Sequence, residues 1–211
     1  MQTVMDELHN HRLIPVIAIH DAKNADPLAD SLALGGLPCA EITFRTEAAA
    51  DAISAMAAKG NILVGAGTVL KIDQAKAAVD AGARFIVSPG FNPKVVRYCL
   101  DNDIAVTPGV CTPTEIEQAL DFGLEVLKFF PAESFGGLKT LKAMSAPYGM
   151  TKFIPTGGIG PKNVLDYLKF DKVWACGGSW MVKSDMIAEQ NFEEISRLVR
   201  EAVQIVKQAS A

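Results

Sequence analysis

Leu13-Ile14-Pro15-Val16-Ile17-Ala18-Ile19-His20-Asp21 is the stretch that separates the folds open to this chain. From Leu13 to Ile19 the side chains are apolar without a break, and branched residues dominate. Continuous apolarity, in place of alternation, marks a strand buried on both faces, as in a parallel sheet. A doubly wound sheet of the dinucleotide-binding kind would carry G-x-G-x-x-G at the first strand–helix turn. Ile17-Ala18-Ile19-His20-Asp21 occupies that place instead.

Outward from this strand the pattern repeats. Before it, residues 2–10 read as a short amphipathic helix with Val4, Met5 and Leu8 on one side. After it, 22–34 turns helical, with Leu28, Leu32 and Ala33 inward, and Gly35-Gly36 ends it. Further strands are expected at 39–44, 63–69, 85–89, 105–110, 126–131, 153–157 and 173–177. Amphipathic or alanine-rich stretches lie between them, at 46–58, 71–81, 92–101, 112–122, 137–145 and 161–168, and a last helix at 191–208. Gly35, Gly60, Gly82 and Gly123 read as C-caps, and Asn92, Thr112 and Asp185 as N-caps. Eight strand–helix units spaced as βα repeats predict an α/β fold. The expected architecture is a single-domain (β/α)8 TIM barrel with a short N-terminal helix, spanning residues 1–211 without a linker.

Composition narrows the function classes. The chain has 211 residues, 49% of them hydrophobic, enough for one large core. A net charge of -4 speaks against a general nucleic-acid binder but leaves room for a small anion held by a local positive site. Cys39, Cys99, Cys111 and Cys176 form no C-x-x-C unit and read as reduced thiols of a cytoplasmic protein. His9, His11 and His20 have no metal-ligand spacing, so no metal is expected. The first apolar run is too short to span a bilayer and lacks a signal peptide's flanks, so no membrane association is expected.

Barrel active sites form at the C-terminal ends of the strands. Val126-Leu127-Lys128-Phe129-Phe130-Pro131 is such a strand, with one lysine inside it. Removal of an ammonium from water favours the free amine, which can attack a ketone to form a Schiff base. The alternative is a strand-end lysine whose amine snorkels to water. Residues two apart share a face, so Lys128 and Phe130 point inward together. On the second strand Glu41, Thr43 and Arg45 share a face, with Ile42 and Phe44 toward the helices. Glu41 and Arg45 are therefore expected in the interior, either as a structural ion pair or as working groups. Thr68 closes the third strand, where Gly65 and Gly67 let another group approach the backbone. Ser88-Pro89-Gly90 ends the fourth. Lys152 and Lys172 precede strands and are expected to face solvent at the opposite end. Thr156-Gly157-Gly158-Ile159-Gly160 and Gly177-Gly178-Ser179 follow the seventh and eighth strands. That is where barrels commonly hold phosphate on backbone N–H groups, although two tight turns without a ligand would look the same.

Glu41-Ile42-Thr43-Phe44-Arg45-Thr46, Gly65-Ala66-Gly67-Thr68-Val69, Ser88-Pro89-Gly90, Lys128-Phe129-Phe130-Pro131-Ala132-Glu133, Pro155-Thr156-Gly157-Gly158-Ile159 and Gly177-Gly178-Ser179-Trp180 together resemble a known family. It is that of the class I pyruvate aldolases, which cleave 2-keto-3-deoxy-6-phosphogluconate and 4-hydroxy-2-oxoglutarate. The resemblance runs through most of the chain. It implies a trimer of (β/α)8 barrels, no metal or other cofactor, and a phosphorylated 2-keto acid as substrate. Lys128 matches the Schiff-base lysine and Glu41 the general acid/base. Arg45 and Thr68 match the groups at the pyruvate carboxylate, Phe130 and Pro89 the pocket wall, and Gly157, Gly158, Gly178 and Ser179 the phosphate end; Thr156 stands beside them. Phe44 replaces a common leucine, and Ser134-Phe135 precede Gly136-Gly137, so Phe135 could alter preference for the longer substrate. An aldolase for the galactonate epimer would share nearly all these motifs. A phosphosugar isomerase or epimerase would not need the lysine, and a metabolite-binding barrel without turnover would not need Lys128 or Glu41.

Overall fold

The computed structural model describes residues 2–209. Helix α1 (Gln2–His11) leads into strand β1 (Leu13–Ile17), and strands and helices then alternate along the chain. The strands are β2 (Cys39–Thr43), β3 (Leu63–Gly67), β4 (Phe85–Val87), β5 (Ala105–Thr107), β6 (Gly109–Val110), β7 (Val126–Phe129), β8 (Lys152–Pro155) and β9 (Cys176–Gly178). The helices between and after them are α2 (Ala25–Leu34), α3 (Ala49–Ala58), α4 (Ile72–Asp80), α5 (Pro93–Asp101), α6 (Pro113–Asp121), α7 (Gly137–Ser145), α8 (Val164–Leu168), α9 (Ser184–Ala188) and α10 (Phe192–Ala209).

All named strand pairs are parallel. Six strands run in the order β5-β4-β3-β2-β1-β9 and three in the order β6-β7-β8. The register sets Glu41 beside Val16 and Gly65, and Lys128 beside Gly109 and Ile154. Isolated bridges Phe153↔Val173 and Thr156↔Gly177 link the β8 segment to the one leading into β9. The sheet curls enough for side chains of β2 and β7 to meet across its concave side.

The continuous apolar strands have the expected cause. Leu13, Ile17, Ile42, Leu127, Phe129 and Phe153 are fully buried between sheet and helices, each worth about 1.5–3 kcal/mol of transfer free energy. Helix ends are set locally. Asn92 accepts from the Lys94 N–H, and Thr112 and Glu115 form a reciprocal capping box at α6. Gly60, Gly82 and Gly123 take the left-handed conformation after their helices, as expected.

Several expectations are corrected. The fifth strand is split into β5 and β6 because Pro108 has no N–H to give to a ladder; its carbonyl accepts from the Lys128 N–H instead. Gly35 is right-handed, and Gly36 carries the positive φ. Gly35 is there for space, since a Cβ would meet Val199 Cβ at 2.6 Å. The cap before α9 is Lys183, while Asp185 lies inside that helix, which is too short to show a period in the sequence. Ala33 is only half-buried; Ala25 and Ala29 face inward. Lys152 is the first residue of β8, and both Lys152 and Lys172 bind carbonyls (of Asp171, and of Tyr148 and Gly149) in place of facing solvent alone.

Candidate active site

Lys128 stands in the third position of β7 and is 5% exposed; Glu41, in the third position of β2, is 3% exposed. Their side chains meet, with Lys128 Nζ 3.4 Å from Glu41 Oε1. Two opposite charges taken from water are tolerable only when paired. Here each is the other's sole ion-pair partner among the described residues. The Phe130 ring lies 5.1 Å from the same ammonium, close enough for a cation–π contact. Room for the carboxylate comes from Gly67, where a Cβ would sit 2.7 Å from Glu41 Cγ. Gly65 makes room for the Phe85 ring in the same way.

Arg45 departs from expectation. It does not enter the interior to pair with Glu41. It lies exposed just past the end of β2 and donates from Nε to Thr43 Oγ1 at 3.0 Å. Thr43 in turn donates to the Ile17 carbonyl at 2.8 Å. The alternation that aimed Arg45 inward ends where β2 ends, at Thr43.

Arg45 instead faces a cleft of about 140 Å³ at the C-terminal end of the sheet. Phe130, Thr156, Gly157, Gly158, Gly178 and Ser179 also line this cleft, so the aromatic beside Lys128 and both glycine turns share one wall with a guanidinium. Gly157 and Gly158 have φ of 99° and 78°, which ordinary side chains rarely adopt. Thr156 is buried with its hydroxyl 3.4 Å from the Ile154 carbonyl. Thr68 and Pro89 are half-buried past the ends of β3 and β4 and are not part of this cleft. Thr68 is held at φ 56°, a costly conformation for a β-branched residue and a mark of sites that need a set geometry. Ser88 Oγ ties the two strand ends together by donating to the Val69 carbonyl at 2.7 Å. A larger cavity, about 330 Å³ and walled partly by Met5, Glu125, Met150, Lys152 and Trp174, includes neither Lys128 nor Glu41. Chemistry, not volume, therefore picks out the smaller cleft.

Sequence reasoning passed over residues that organise the cleft. Glu133, in the quoted stretch after Lys128, carries the Gly157–Gly158 turn from behind, and Tyr167 donates a hydrogen bond to its carboxylate. Asn163 holds the far side of the turn, accepting from the Gly160 N–H and donating to the Gly158 carbonyl. Their only local signal was polarity near a glycine turn. The cysteines are free thiols, and burial pushes the Cys39 and Cys176 thiols well above their usual range and Cys99 up to about 12.

Comparison with known proteins places this geometry. Residues 4–198 match the model of the family "Aldolase: KDPG and KHG aldolase". The chain is 48% identical over 207 residues to the 2-dehydro-3-deoxy-phosphogluconate aldolase of Haemophilus influenzae, with 98% of both chains covered. It is 41% identical over 196 residues to the KHG/KDPG aldolase of Escherichia coli, with 92% of both covered. Its fold matches the crystal structure of KDPG aldolase from Legionella pneumophila, in which pyruvate was captured at low pH as a covalent carbinolamine intermediate. That match has a TM-score of 0.90 and 37% identity, covering 94% of this chain and 97% of the other. With a buried lysine–carboxylate pair beside an arginine- and glycine-lined cleft, and relatives matched from end to end, this chain belongs to the KDPG and KHG aldolase family, whose members are carbon–carbon lyases.

Proposed function

We propose that this chain cleaves 2-keto-3-deoxy-6-phosphogluconate to pyruvate and glyceraldehyde 3-phosphate, and 4-hydroxy-2-oxoglutarate to pyruvate and glyoxylate, through a Schiff base on Lys128. The observation that carries the reading is the Lys128–Glu41 pair, 3.4 Å apart and almost fully buried on the concave side of the sheet. Glu41 takes a proton from the lysine. The free amine adds to the C2 carbonyl, and Glu41 gives the proton back to the C2 oxygen, which leaves as water to form an iminium and returns Glu41 to a carboxylate. A base, Glu41 or a water it holds, removes the C4 hydroxyl proton. The C3–C4 bond breaks, the aldehyde leaves, and its bonding electrons pass into the iminium to give an enamine. The same carboxyl returns the proton to C3, and hydrolysis releases pyruvate and the free lysine. One group serves both steps because its protonation alternates.

Arg45 and Thr68 would hold the carboxylate end, Phe130 and Pro89 would wall the pocket, and Thr156, Gly157, Gly158, Gly178 and Ser179 would receive the phosphate. Neither a metal nor another cofactor enters this chemistry. The reading includes one (β/α)8 barrel domain over 1–211, supported by the bridges beside β8 and by the shared run of β5 and β6. Assembly as a homotrimer in the cytoplasm rests on family resemblance; among the described residues no helix is long and apolar enough to cross a membrane.

The test is mass spectrometry after treatment with pyruvate and borohydride. An adduct on the peptide containing Lys128, lost in Lys128→Ala, is the expected result. A folded protein that yields no adduct would remove the Schiff-base mechanism.

A further inference from the structure

The Gly157–Gly158 turn is shaped from behind by a group the reaction itself does not use. The Ala132 N–H donates to the Thr156 carbonyl at 2.8 Å, and the Glu133 N–H donates to the Gly157 carbonyl at 3.0 Å. A trans peptide points its N–H opposite its carbonyl. The N–H groups of Gly157 and Gly158 are therefore turned away from residues 132–133, toward the side of the turn bordered by β9. Successive N–H groups directed to one side of a positive-φ turn form a concavity that suits an anion. The Glu133 side chain completes the support. A Cβ on Gly158 would sit 2.6 Å from both Glu133 Cβ and Cγ, so the stem lies directly against that glycine. Its carboxylate is held by the hydroxyl of Tyr167, a side chain only 1% exposed on α8. Burial, with that carboxylate second, pushes the tyrosine hydroxyl above its usual range, so it stays a donor at any ordinary pH.

We propose that Glu133, held by Tyr167, is a positioning residue that sets the Gly157–Gly158 peptides for a substrate phosphate and so determines preference for the phosphorylated over the short 2-keto acid. The inference rests on the reading of that turn as the phosphate end. Without the Tyr167 hydroxyl the carboxylate is free to move, the stem no longer braces Gly158, and a negative charge can swing toward the arriving phosphate. Glu41 lies on β2 and Lys128 inside β7, ahead of the turn that carries Glu133, and neither hydrogen-bonds to Glu133 or Tyr167, so chemistry on a substrate lacking phosphate should not sense the change.

The experiment compares parent, Tyr167→Phe, Glu133→Ala and Glu133→Gln on 2-keto-3-deoxy-6-phosphogluconate and on 4-hydroxy-2-oxoglutarate. A lost hydrogen bond of ordinary strength predicts a rise in KM for the phosphorylated substrate of about five- to tenfold in Tyr167→Phe and Glu133→Ala. With either substrate kcat stays within about twofold, as does KM for the short one. Glu133→Gln keeps an acceptor for Tyr167 and should retain the parent's preference. Equal losses on both substrates, or an unchanged KM for the phosphorylated one, would overturn the positioning role. Inorganic phosphate tested on the parent separates the two levels. If it competes with the phosphorylated substrate while the variants behave as parent, only the positioning role falls; if it does not compete, the phosphate reading of the turn falls first.

Discussion

Gly67→Ala is the sharpest perturbation the site offers. Gly67 is a strand residue with no positive φ, so alanine suits its backbone. The conflict lies with one side chain. The added Cβ would stand 2.7 Å from Glu41 Cγ and 2.8 Å from Cδ, where ordinary contact is 3.4–4 Å. Glu41 must withdraw by several tenths of an ångström while wedged in the interior with its oxygen on Lys128. Overpacking of this kind costs about 1–3 kcal/mol. If the carboxylate leaves Lys128 altogether, the broken buried pair costs about 3–5 kcal/mol. The smaller figure applies when Glu41 can rotate toward the mouth. At about 2–4 °C per kcal/mol for a chain of this size, the melting temperature should fall by about 2–12 °C if the pair survives and by about 6–20 °C if it breaks. Displacing the proton carrier should lower kcat by about 10²- to 10⁴-fold, read from pyruvate release in a coupled lactate dehydrogenase assay. The lysine is untouched, so pyruvate should still be trapped on it by borohydride. On a Glu41→Ala background the clash partner is gone, and Gly67→Ala should cost almost nothing further in stability. A single variant that keeps kcat within about threefold and melts with the parent would refute the account of how Glu41 is placed.

Thr68→Gly removes both a hydroxyl and a left-handed threonine; the strain relieved is about 1–3 kcal/mol, against about 0.5–1 kcal/mol of added chain entropy. Thermal melting should hold or rise while KM for both keto acids increases, and a clear loss of stability would show that the φ of 56° is not strained. At α6, Thr112→Ala should cost about 1 kcal/mol in urea unfolding. Glu115 is penalised by burial, but its bonds from the Cys111 and Thr112 N–H groups outweigh that and hold its carboxyl below the usual range. The unfolded chain therefore binds this proton first as pH falls. The contribution is full above the ordinary glutamate range and disappears as pH drops through the lower folded value. Glu115→Gln should flatten that acid limb, and an unchanged pH dependence would count against the assignment.

Local information carried far in this chain. Strand and helix order, the caps at Asn92 and Thr112, and the inward face shared by Lys128 and Phe130 are readable from periodicity, because burial and backbone hydrogen bonding act within a few residues. The same period located Glu41, and glycine content just after the seventh and eighth strands located the two turns. The period failed with Arg45, one residue past Phe44, where the strand and its alternation had already ended.

The amino-acid order by itself determined an α/β chain of repeated parallel units, a lysine inside a strand, and the residue types that a Schiff-base aldolase needs. Only the tertiary structure decided which of them meet. Lys128 finds Glu41 across 87 residues because sheet curl brings β7 opposite β2, and Tyr167 finds Glu133 across 34 because α8 lies beside the turn that follows β7. A side-chain period says which face a residue takes, not which strand stands opposite. The space that lets Glu41 stand beside Lys128 is likewise a property of the assembled sheet: it exists because β3 presents a hydrogen, and not a methyl group, at Gly67.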